Sequence, residues 1–198
     1  SASRSGPIAT RSLVAPAACE ACGTFQLIEQ PAPERMFHAD YPFYTGTSAR
    51  MREHFRELVV DARRRVGRAE ARAVEVGSND GTLLAHLVAE GFDACGVEPS
   101  ANVAAVAREK GLDVVDGFFT PDTAHALRDA AGPADVVVGA NVICHIADIH
   151  GVMRAVDVLL AESGLFIFEE PFLGDMLDLR AYDQIYDEHV YKIGRAHV

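Results

Sequence analysis

The chain has 198 residues, of which 49% are hydrophobic and 24% are charged, a composition typical of a globular protein with one sizeable core. Its formal net charge of -11 would repel a phosphate backbone, so the composition argues against a nucleic-acid partner. No apolar run approaches the roughly 18 residues that cross a bilayer, and the beginning "SASRSGPIATRS" has no apolar segment of signal-peptide length. We therefore expect a cytoplasmic protein with no membrane partner.

The beginning of the chain and the segment that follows it differ in character. Residues 1–44 are rich in proline and alanine, contain the only CxxC motif and show no extended helical period, so a small loop-rich module is predicted. Between Ser48 and Val66, apolar residues recur at spacings of three and four, and Gly67 follows as a helix stop. Residues 45–67 are therefore predicted to carry an amphipathic helix that leads into the next domain.

Short β-rich runs alternate with helical stretches throughout residues 68–170. The pattern predicts strands at 73–77, 93–99, 112–117, 134–141 and 164–170, and helices near 81–90, 100–110, 121–130 and 147–161. This alternation is typical of βαβ units, so the predicted fold is α/β, with a doubly wound parallel sheet and a ligand site at the carboxyl ends of its strands. Residues 171–198 would follow as a segment on the substrate side of that site.

The first predicted strand ends in "VEVGSNDGTLL", a turn bracketed by Gly77 and Gly81. Glycines at such a turn let the backbone approach a ligand, although a tight turn that serves packing alone is the alternative. Glu75 precedes the turn, and Glu98 at the tip of the second strand is placed to accept hydrogen bonds from ribose hydroxyls. Asn79 breaks the G-x-G-x-x-G pattern, so NAD is the less favoured cofactor.

The spacing Glu75-x-Gly77-x-Asn79-x-Gly81 resembles the first motif of class I S-adenosylmethionine-dependent methyltransferases, with asparagine in place of the usual middle glycine. This resemblance implies a Rossmann-like sheet, with Gly77 facing the methionine part of the cofactor and Glu98 facing its ribose. The "DGFF" run would lie beside adenine, although core packing is the alternative for its two aromatic residues. The implied cofactor-binding residues are Glu75, Gly77, Asn79, Gly81, Glu98, Pro99, Phe118, Phe119 and Asn141.

Further segments resemble one narrower family within these methyltransferases. In order, "DYPFYTGTSARMREHF", "EVGSNDG", "VEPS", "NVICHI", "FEEPFLGD" and "DQIYDEHV" resemble the C-methyltransferases of deoxysugar biosynthesis, which act on TDP-linked ketosugars in antibiotic-producing bacteria. The resemblance runs from about Cys19 to Tyr191. It implies methyl transfer from S-adenosylmethionine to a ring carbon next to the ketone of a nucleotide-linked sugar.

Such chemistry needs a base that removes a proton next to the ketone, and histidine suits this task at neutral pH. On the resemblance, His189 is the base, and Glu188 contacts the sugar or tunes that base. His145 would hold the pyranose ring or its keto oxygen, with a helix-capping role as the alternative. Tyr41 would donate its hydroxyl to the sugar or enolate, unless it is only a half-buried anchor, and Tyr44 is a weaker candidate for the same role.

The CxxC motif raises the question of a metal. Cys19 and Cys22 could supply two of the four ligands of a structural zinc, whereas Cys95 and Cys144 are poorly placed to complete the set. The resembling family carries two such pairs and a long further domain after "DEHV", so zinc is expected here only if a second pair is supplied. We expect a partial chain, for which an NAD-dependent oxidoreductase and an inactive cofactor-binding fragment remain the alternative functions.

Overall fold

The computed structural model describes residues 14–30, 32–186 and 188–192. Its main sheet has five strands in the order β5-β4-β3-β6-β7, and all neighbouring strands are parallel. The strands are β3 (Arg72–Val76), β4 (Asp93–Glu98), β5 (Asp113–Asp116), β6 (Ala134–Ala140) and β7 (Leu160–Glu169). This sheet confirms the α/β fold with a doubly wound parallel sheet that the sequence predicts.

The helices lie between these strands or next to them. They are α1 (Pro33–Met36), α2 (Ala49–Val66), α3 (Thr82–Ala89), α4 (Ala101–Glu109), α5 (Pro121–Ala131), α6 (Ile149–Leu159) and α7 (Leu173–Asp178). The predicted connecting helix is confirmed as α2. Its first turn is capped by the Ser48 side chain, which accepts from the Met51 backbone N–H, and Gly67 ends it in a left-handed conformation with φ 65°.

One predicted boundary is wrong. The fifth strand begins at Leu160 rather than at 164, and α6 therefore ends before the predicted 161. Leu160 pairs with Ala134, whereas Leu165 pairs with Val136, so the strand contains a register shift between these two contacts. Such an irregular start has no period-2 pattern in the sequence.

Two apolar clusters cover the two faces of the main sheet. On one face, residues of α5 and α6 such as Leu127 and Val156 pack against the strands. On the other face, α2, α3 and α4 contribute residues such as Val59, Leu84 and Ala104. Helices thus cover both faces as predicted, and apolar burial on each face stabilises the sheet. No helix among the described residues is both long and apolar enough to span a membrane.

A second, antiparallel sheet joins the two ends of the described chain. It has the order β1-β2-β8, with β1 at Pro16–Ala18, β2 at Phe25–Leu27 and β8 at Tyr191–Lys192. Residues 1–13 and 193–198, which belong to the predicted first and last segments, lie outside the described residues. The division into segments 1–44, 45–67, 68–170 and 171–198 stays a prediction.

Candidate active site

A cavity of about 1050 Å³ opens at the carboxyl ends of the parallel strands. Its volume is in the range of sites that enclose a small molecule or cofactor. Most residues that the sequence analysis singled out line it: Tyr41, Tyr44, Gly77, Asn79, Glu98, Pro99, Phe118, Phe119, Asn141, His145, Glu188 and His189. Glu75 and Gly81 are not among the lining residues. The fold therefore brings the predicted cofactor and substrate residues to one cavity.

The two glycines of the turn after β3 have different structural roles. Gly77 lines the cavity at φ 67°, and an added Cβ would lie 2.5 Å from Cγ2 of Val142. Gly81 has φ 75°, and a Cβ there would lie 2.4 Å from Cδ1 of Leu112 and 2.9 Å from Cβ of Ala107. Gly81 thus permits close packing of α3 on its neighbours, and the packing alternative fits it better than cofactor contact.

Asn79 replaces a glycine without losing the turn. It adopts a left-handed conformation with φ 50°, which asparagine tolerates better than most residues. Its Nδ2 donates to the Phe43 carbonyl at 3.1 Å, and its Oδ1 accepts from the Thr45 N–H at 3.1 Å. The neighbouring Asp80 accepts from the Gly46 N–H at 2.9 Å. The turn therefore holds residues 41–47, which we call the strap, against the cavity.

Glu98 and Glu75 are buried carboxylates on neighbouring strands. Glu98 accepts from the backbone N–H groups of Asn79 and Ser100, both at 2.8 Å. Burial raises the pKa of Glu98, and these two hydrogen bonds oppose the rise. Burial, followed by the charge of Glu98, raises the pKa of Glu75 well above its usual value, and its Oε2 has no hydrogen-bond partner. Glu98 thus faces the cavity, while Glu75 lies behind it.

Phe118 and Phe119 form an aromatic part of the cavity wall. Phe119 is buried in the core cluster and also lines the cavity, whereas Phe118 is half-buried. Phe119 therefore packs in the core and also lines the cavity, while its place beside adenine stays a prediction. Asn141 follows β6 in a left-handed conformation with φ 55°, and its N–H donates to the Glu169 carbonyl at 2.7 Å.

His145 occupies a short 3-10 helix, Ile143–His145, and is buried. Its Nδ1 lies 2.6 Å from the Glu188 carbonyl oxygen, and since a carbonyl only accepts, Nδ1 donates. Burial lowers the pKa of His145, so the ring is neutral with its hydrogen on Nδ1. The capping alternative is wrong, because Asp148 caps α6 by accepting from the Gly151 N–H at 2.8 Å.

Glu170 fixes the helix that carries His145. One carboxylate oxygen accepts from the N–H groups of Val142 at 3.0 Å and Ile143 at 2.6 Å. Burial raises the pKa of the Glu170 carboxyl group, and its hydrogen bonds to this segment oppose the rise. Sequence reasoning missed Glu170, although it follows the fifth strand in the quoted "FEEPFLGD".

His189 packs edge-to-face on His145, with ring centroids 4.8 Å apart. Its Nε2 hydrogen-bonds the hydroxyl of Tyr186, and its Nδ1 lies 2.7 Å from Nζ of Lys192. Burial, followed by the charges of His145 and Lys192, lowers the pKa of His189 to about 3, so the ring is neutral near pH 7. Tyr186 was missed as a site residue, although it begins the "YDEHV" motif. Asp187 of that motif lies outside the described residues.

Tyr41 lies opposite these histidines. Its hydroxyl donates a hydrogen bond to the Glu188 carboxylate, and burial, followed by the charge of Glu188, raises its pKa. Its ring lies between Phe37 and Phe43, with centroid distances of 5.5 and 5.6 Å. Tyr41 thus reaches the substrate side of the cavity, whereas the Tyr44 hydroxyl accepts from Nδ2 of Asn102 at 3.1 Å.

The predicted zinc ligands lie in the other sheet. Cys19 and Cys22 follow β1, and hydrogen bonds from Thr24 lower the pKa of Cys22. They supply two ligands, and within the described residues they belong to no group of three possible ligands, so these described residues alone do not fit a structural zinc. The described residues that do form such a group are Cys144, His145 and His189.

Comparisons with known proteins indicate the family of the chain. A family model described as a methyltransferase domain matches residues 50–196. The chain is 32% identical over 172 residues to the C-methyltransferase NovU of Streptomyces niveus, which takes in 86% of this chain and 41% of NovU. It is 32% identical over 100 residues to the ubiquinone biosynthesis O-methyltransferase of Caulobacter sp. (strain K31), covering 48% of this chain and 39% of that protein. The chain thus spans about two fifths of these relatives' length.

Solved structures agree on the fold. DesVI from Streptomyces venezuelae superposes with a TM-score of 0.51 at 17% identity, over 62% of this chain and 52% of DesVI. An S-adenosylmethionine-dependent methyltransferase from Clostridium acetobutylicum gives a TM-score of 0.52 at 14% identity, over 64% and 53% of the two chains. The sheet is that of class I methyltransferases, and the comparisons favour this assignment over an NAD-dependent oxidoreductase. The chain belongs to the methyltransferase domain family.

Proposed function

We propose that the chain is the catalytic part of an S-adenosylmethionine-dependent C-methyltransferase that methylates the carbon next to the ketone of a TDP-linked deoxysugar. One observation carries the proposal: a single cavity contains the glycine turn with Glu98 on one side and Tyr41, His145 and His189 on the other. The similarity to a protein named as a C-methyltransferase supports transfer to carbon. A nucleotide-linked substrate in antibiotic biosynthesis and a cytoplasmic location belong to the same proposal.

The residues on one side of the cavity fit the cofactor. Glu98 has carboxylate lone pairs left beyond its two backbone hydrogen bonds, and these can accept from the ribose hydroxyls. Gly77 lets the backbone approach the methionine part, and the rings of Phe118 and Phe119 can flank the adenine. When bound there, S-adenosylmethionine supplies an electrophilic methyl group.

His189 is the proposed base because it is neutral and lines the cavity. Its Nε2 is bonded to the hydroxyl of Tyr186, which also lines the cavity, so Tyr186 joins the proposed proton path. This step requires the ring hydrogen on Nδ1, where a neutral Lys192 amine accepts it, and burial lowers the pKa of Lys192 and so favours that neutral form. The Tyr186 oxygen then takes the proton from the sugar carbon as the hydroxyl proton moves to Nε2. The electron pair of the broken C–H bond moves toward the ketone and forms an enolate.

The remaining residues divide the contacts to the sugar between them. Burial keeps the Tyr41 hydroxyl protonated, so its one hydrogen can turn from the Glu188 carboxylate to the enolate oxygen as negative charge develops there. His145 uses its Nδ1–H on the Glu188 carbonyl, which leaves Nε2 as an acceptor. An acceptor suits a ring hydroxyl better than a keto oxygen, so of the two roles implied for His145 we propose that of holding the pyranose ring.

Deuterium exchange tests this proposal without requiring the complete methylation reaction. The chain is incubated in D₂O with S-adenosylhomocysteine and a TDP-linked 4-ketosugar, and mass spectrometry follows deuterium at the carbon next to the ketone. We expect exchange to fall by roughly 10²- to 10⁴-fold in His189→Gln, which removes the base. Exposed His150 on α6 offers a matched control, and exchange should persist in His150→Gln.

Three results would contradict the proposal. Unchanged exchange in a folded His189→Gln variant would remove His189 from the base role. Transfer of a labelled methyl group from S-adenosylmethionine to an oxygen or nitrogen of the sugar would show that the acceptor is not carbon. A folded chain that binds S-adenosylhomocysteine but gives no exchange would favour the inactive cofactor-binding fragment.

A further inference from the structure

We propose that Asn102 is a positioning residue that sets the orientation of Tyr41 in the cavity. The inference rests on the proposed function, in which the Tyr41 hydroxyl faces the sugar. Asn102 lies in the first turn of α4, shortly after Glu98 at the end of β4. It would therefore link the part of the chain that holds the cofactor to a side chain that contacts the substrate.

The Asn102 amide holds the backbone of Tyr41 on both sides. Its Nδ2 donates to the Tyr41 carbonyl at 2.8 Å, and its Oδ1 accepts from the Tyr41 N–H at 3.3 Å. Two bonds to one residue restrain the peptide groups before and after its Cα, and thereby the direction of the side chain. The same Nδ2 also donates to the Tyr44 hydroxyl at 3.1 Å, so the amide uses both its donor and its acceptor atoms.

Tyr41 needs such a partner because no strand or helix contains it. Residues 41–44 lie outside regular secondary structure, so no ladder of backbone bonds fixes them. Besides Asn102, the Tyr41 N–H also reaches the carbonyl of His38, within the same loop, at 3.2 Å. Asn102, at a distance of 61 residues along the chain, instead provides an anchor on the rigid sheet domain.

Other contacts keep the strap in place when Asn102 is changed. The side chain of Asn79 holds the backbone of Phe43 and Thr45, and Asp80 holds that of Gly46. Loss of the Asn102 amide would therefore release Tyr41 locally while the rest of the strap stays attached to the turn. A change at Asn102 can therefore show whether this residue positions Tyr41 or only supports the fold.

The test follows the hydroxyl of Tyr41 by NMR, in the 198-residue chain labelled with ¹³C at tyrosine Cζ. A Tyr41→Phe variant identifies the Tyr41 signal among the five tyrosines. In the unchanged chain this signal should not titrate near pH 10, where an exposed tyrosine does. In Asn102→Ala we expect its titration to move down toward about 10, because the ring leaves its buried place beside Glu188.

Two further variants make the test specific. Asn102→Asp keeps an acceptor for the Tyr41 N–H but loses both donors, so a smaller shift of the same sign is expected, and it tests the inference if Asn102→Ala does not fold. Arg108→Ala is the matched control on α4, since Arg108 contacts the Val114 carbonyl and Asp116 instead of the strap. It should leave the Tyr41 titration unchanged.

Activity gives an independent readout through a double-mutant cycle. We expect Asn102→Ala to slow deuterium exchange about tenfold, with the affinity for S-adenosylhomocysteine kept within about twofold. Tyr41→Phe combined with Asn102→Ala should be little slower than Tyr41→Phe alone, because both changes remove one function. An unchanged Tyr41 titration in both Asn102 variants would overturn the inference, whereas absence of S-adenosylhomocysteine binding by the unchanged chain would contradict the proposed function instead.

Discussion

At the scale of single residues, the buried carboxylates of Glu98 and Glu75 on neighbouring strands differ in their hydrogen bonds. Two backbone N–H groups donate to Glu98, whereas Oε2 of Glu75 is buried with no partner. Burial disfavours the ionised carboxylate, so burial, followed by the charge of Glu98, raises the pKa of Glu75, while a backbone hydrogen bond from Leu84 opposes the rise. Glu75 therefore lowers the stability of the fold at any pH where its carboxyl group would ionise in water.

The pH dependence of stability tests this view of Glu75. Because its pKa is raised in the folded state, the unfolded chain loses its proton first as pH rises above about 4.5, and folding stability falls until the folded pKa is passed. We expect Glu75→Gln to remove this loss, so that its advantage in unfolding free energy grows above pH 4.5 by up to about 1.4 kcal/mol per pH unit. Denaturant unfolding at a series of pH values measures the difference.

Exposed Glu53 provides the control for that series, since Glu53→Gln removes a carboxylate that is not buried. Its effect should show no such growth with pH. A constant difference between Glu75→Gln and the unchanged chain from pH 4.5 to 8 would mean that Glu75 ionises as easily in the folded state as in the unfolded one.

The sequence predicted those site residues that belong to local motifs. His189, Glu188 and His145 stand in short runs whose resemblance to a family implied their roles, and the fold brings them together. Asn102 lies outside the quoted motifs, and Glu170 lies inside one, but neither role was predicted, because Asn102 and Glu170 act on backbone groups 61 and 28 residues away, respectively. Contacts over such distances are set by the topology of the sheet, and no local spacing indicates them.

At the scale of elements, the short helix Ile143–His145 depends on a strand two elements away. Glu170, directly after β7, accepts from the N–H groups of Val142 and Ile143 at the start of this helix. The end of one parallel strand thus supports the loop that follows its neighbour β6. A 3-10 helix this short has too few internal hydrogen bonds to fix His145 by itself.

Substitution of Glu170 tests this support. Glu170→Ala leaves two buried N–H groups without an acceptor, and we expect it to cost about 1–3 kcal/mol of unfolding free energy and to shift the NMR signals of the His145 ring. Glu170→Gln keeps the accepting oxygen and should be much milder. Exposed Glu162 on β7 gives a control, Glu162→Ala, that should change neither quantity. Equal losses in the Ala and Gln variants would show that charge, and not the accepted bonds, is what matters.

Elements in which apolar residues recur at a regular spacing were predicted well, whereas short elements were not. Helix α2 has its apolar face at Phe55, Val59 and Ala62, as the spacing of its apolar residues indicates. Helix α7, Leu173–Asp178, was not predicted, because six residues are too few to show a helical period. The early start of β7 was missed for the related reason that a register shift interrupts its pattern.

At the scale of the whole molecule, the cavity is closed by residues from distant parts of the chain. The strap carries Tyr41 from near the beginning, and the segment before β8 carries Glu188 and His189 from near the end. The pairing of Gln26 with Tyr191 brings that segment back to the antiparallel sheet β1-β2-β8. Strands of two and three residues are too short to show an alternating pattern of apolar residues. Their pairing also joins distant parts of the chain, which costs loop-closure entropy that the main sheet must offset, so no local feature of the sequence predicts this sheet.

Binding of S-adenosylhomocysteine to the chain, measured by titration calorimetry, tests the proposed methyltransferase most directly. We expect binding by the unchanged chain, no comparable binding of NADH, and affinity at least roughly tenfold weaker in Glu98→Ala, which removes the ribose acceptor. Oε1 and Oε2 of Glu98 each accept one N–H group, so Glu98→Gln keeps an acceptor for only one of them, and circular dichroism of both Glu98 variants checks that the loss is not one of folding. Exposed Glu90 gives the control Glu90→Ala. Failure of the folded chain to bind S-adenosylhomocysteine, or unchanged affinity in Glu98→Ala, would contradict the proposed cofactor site.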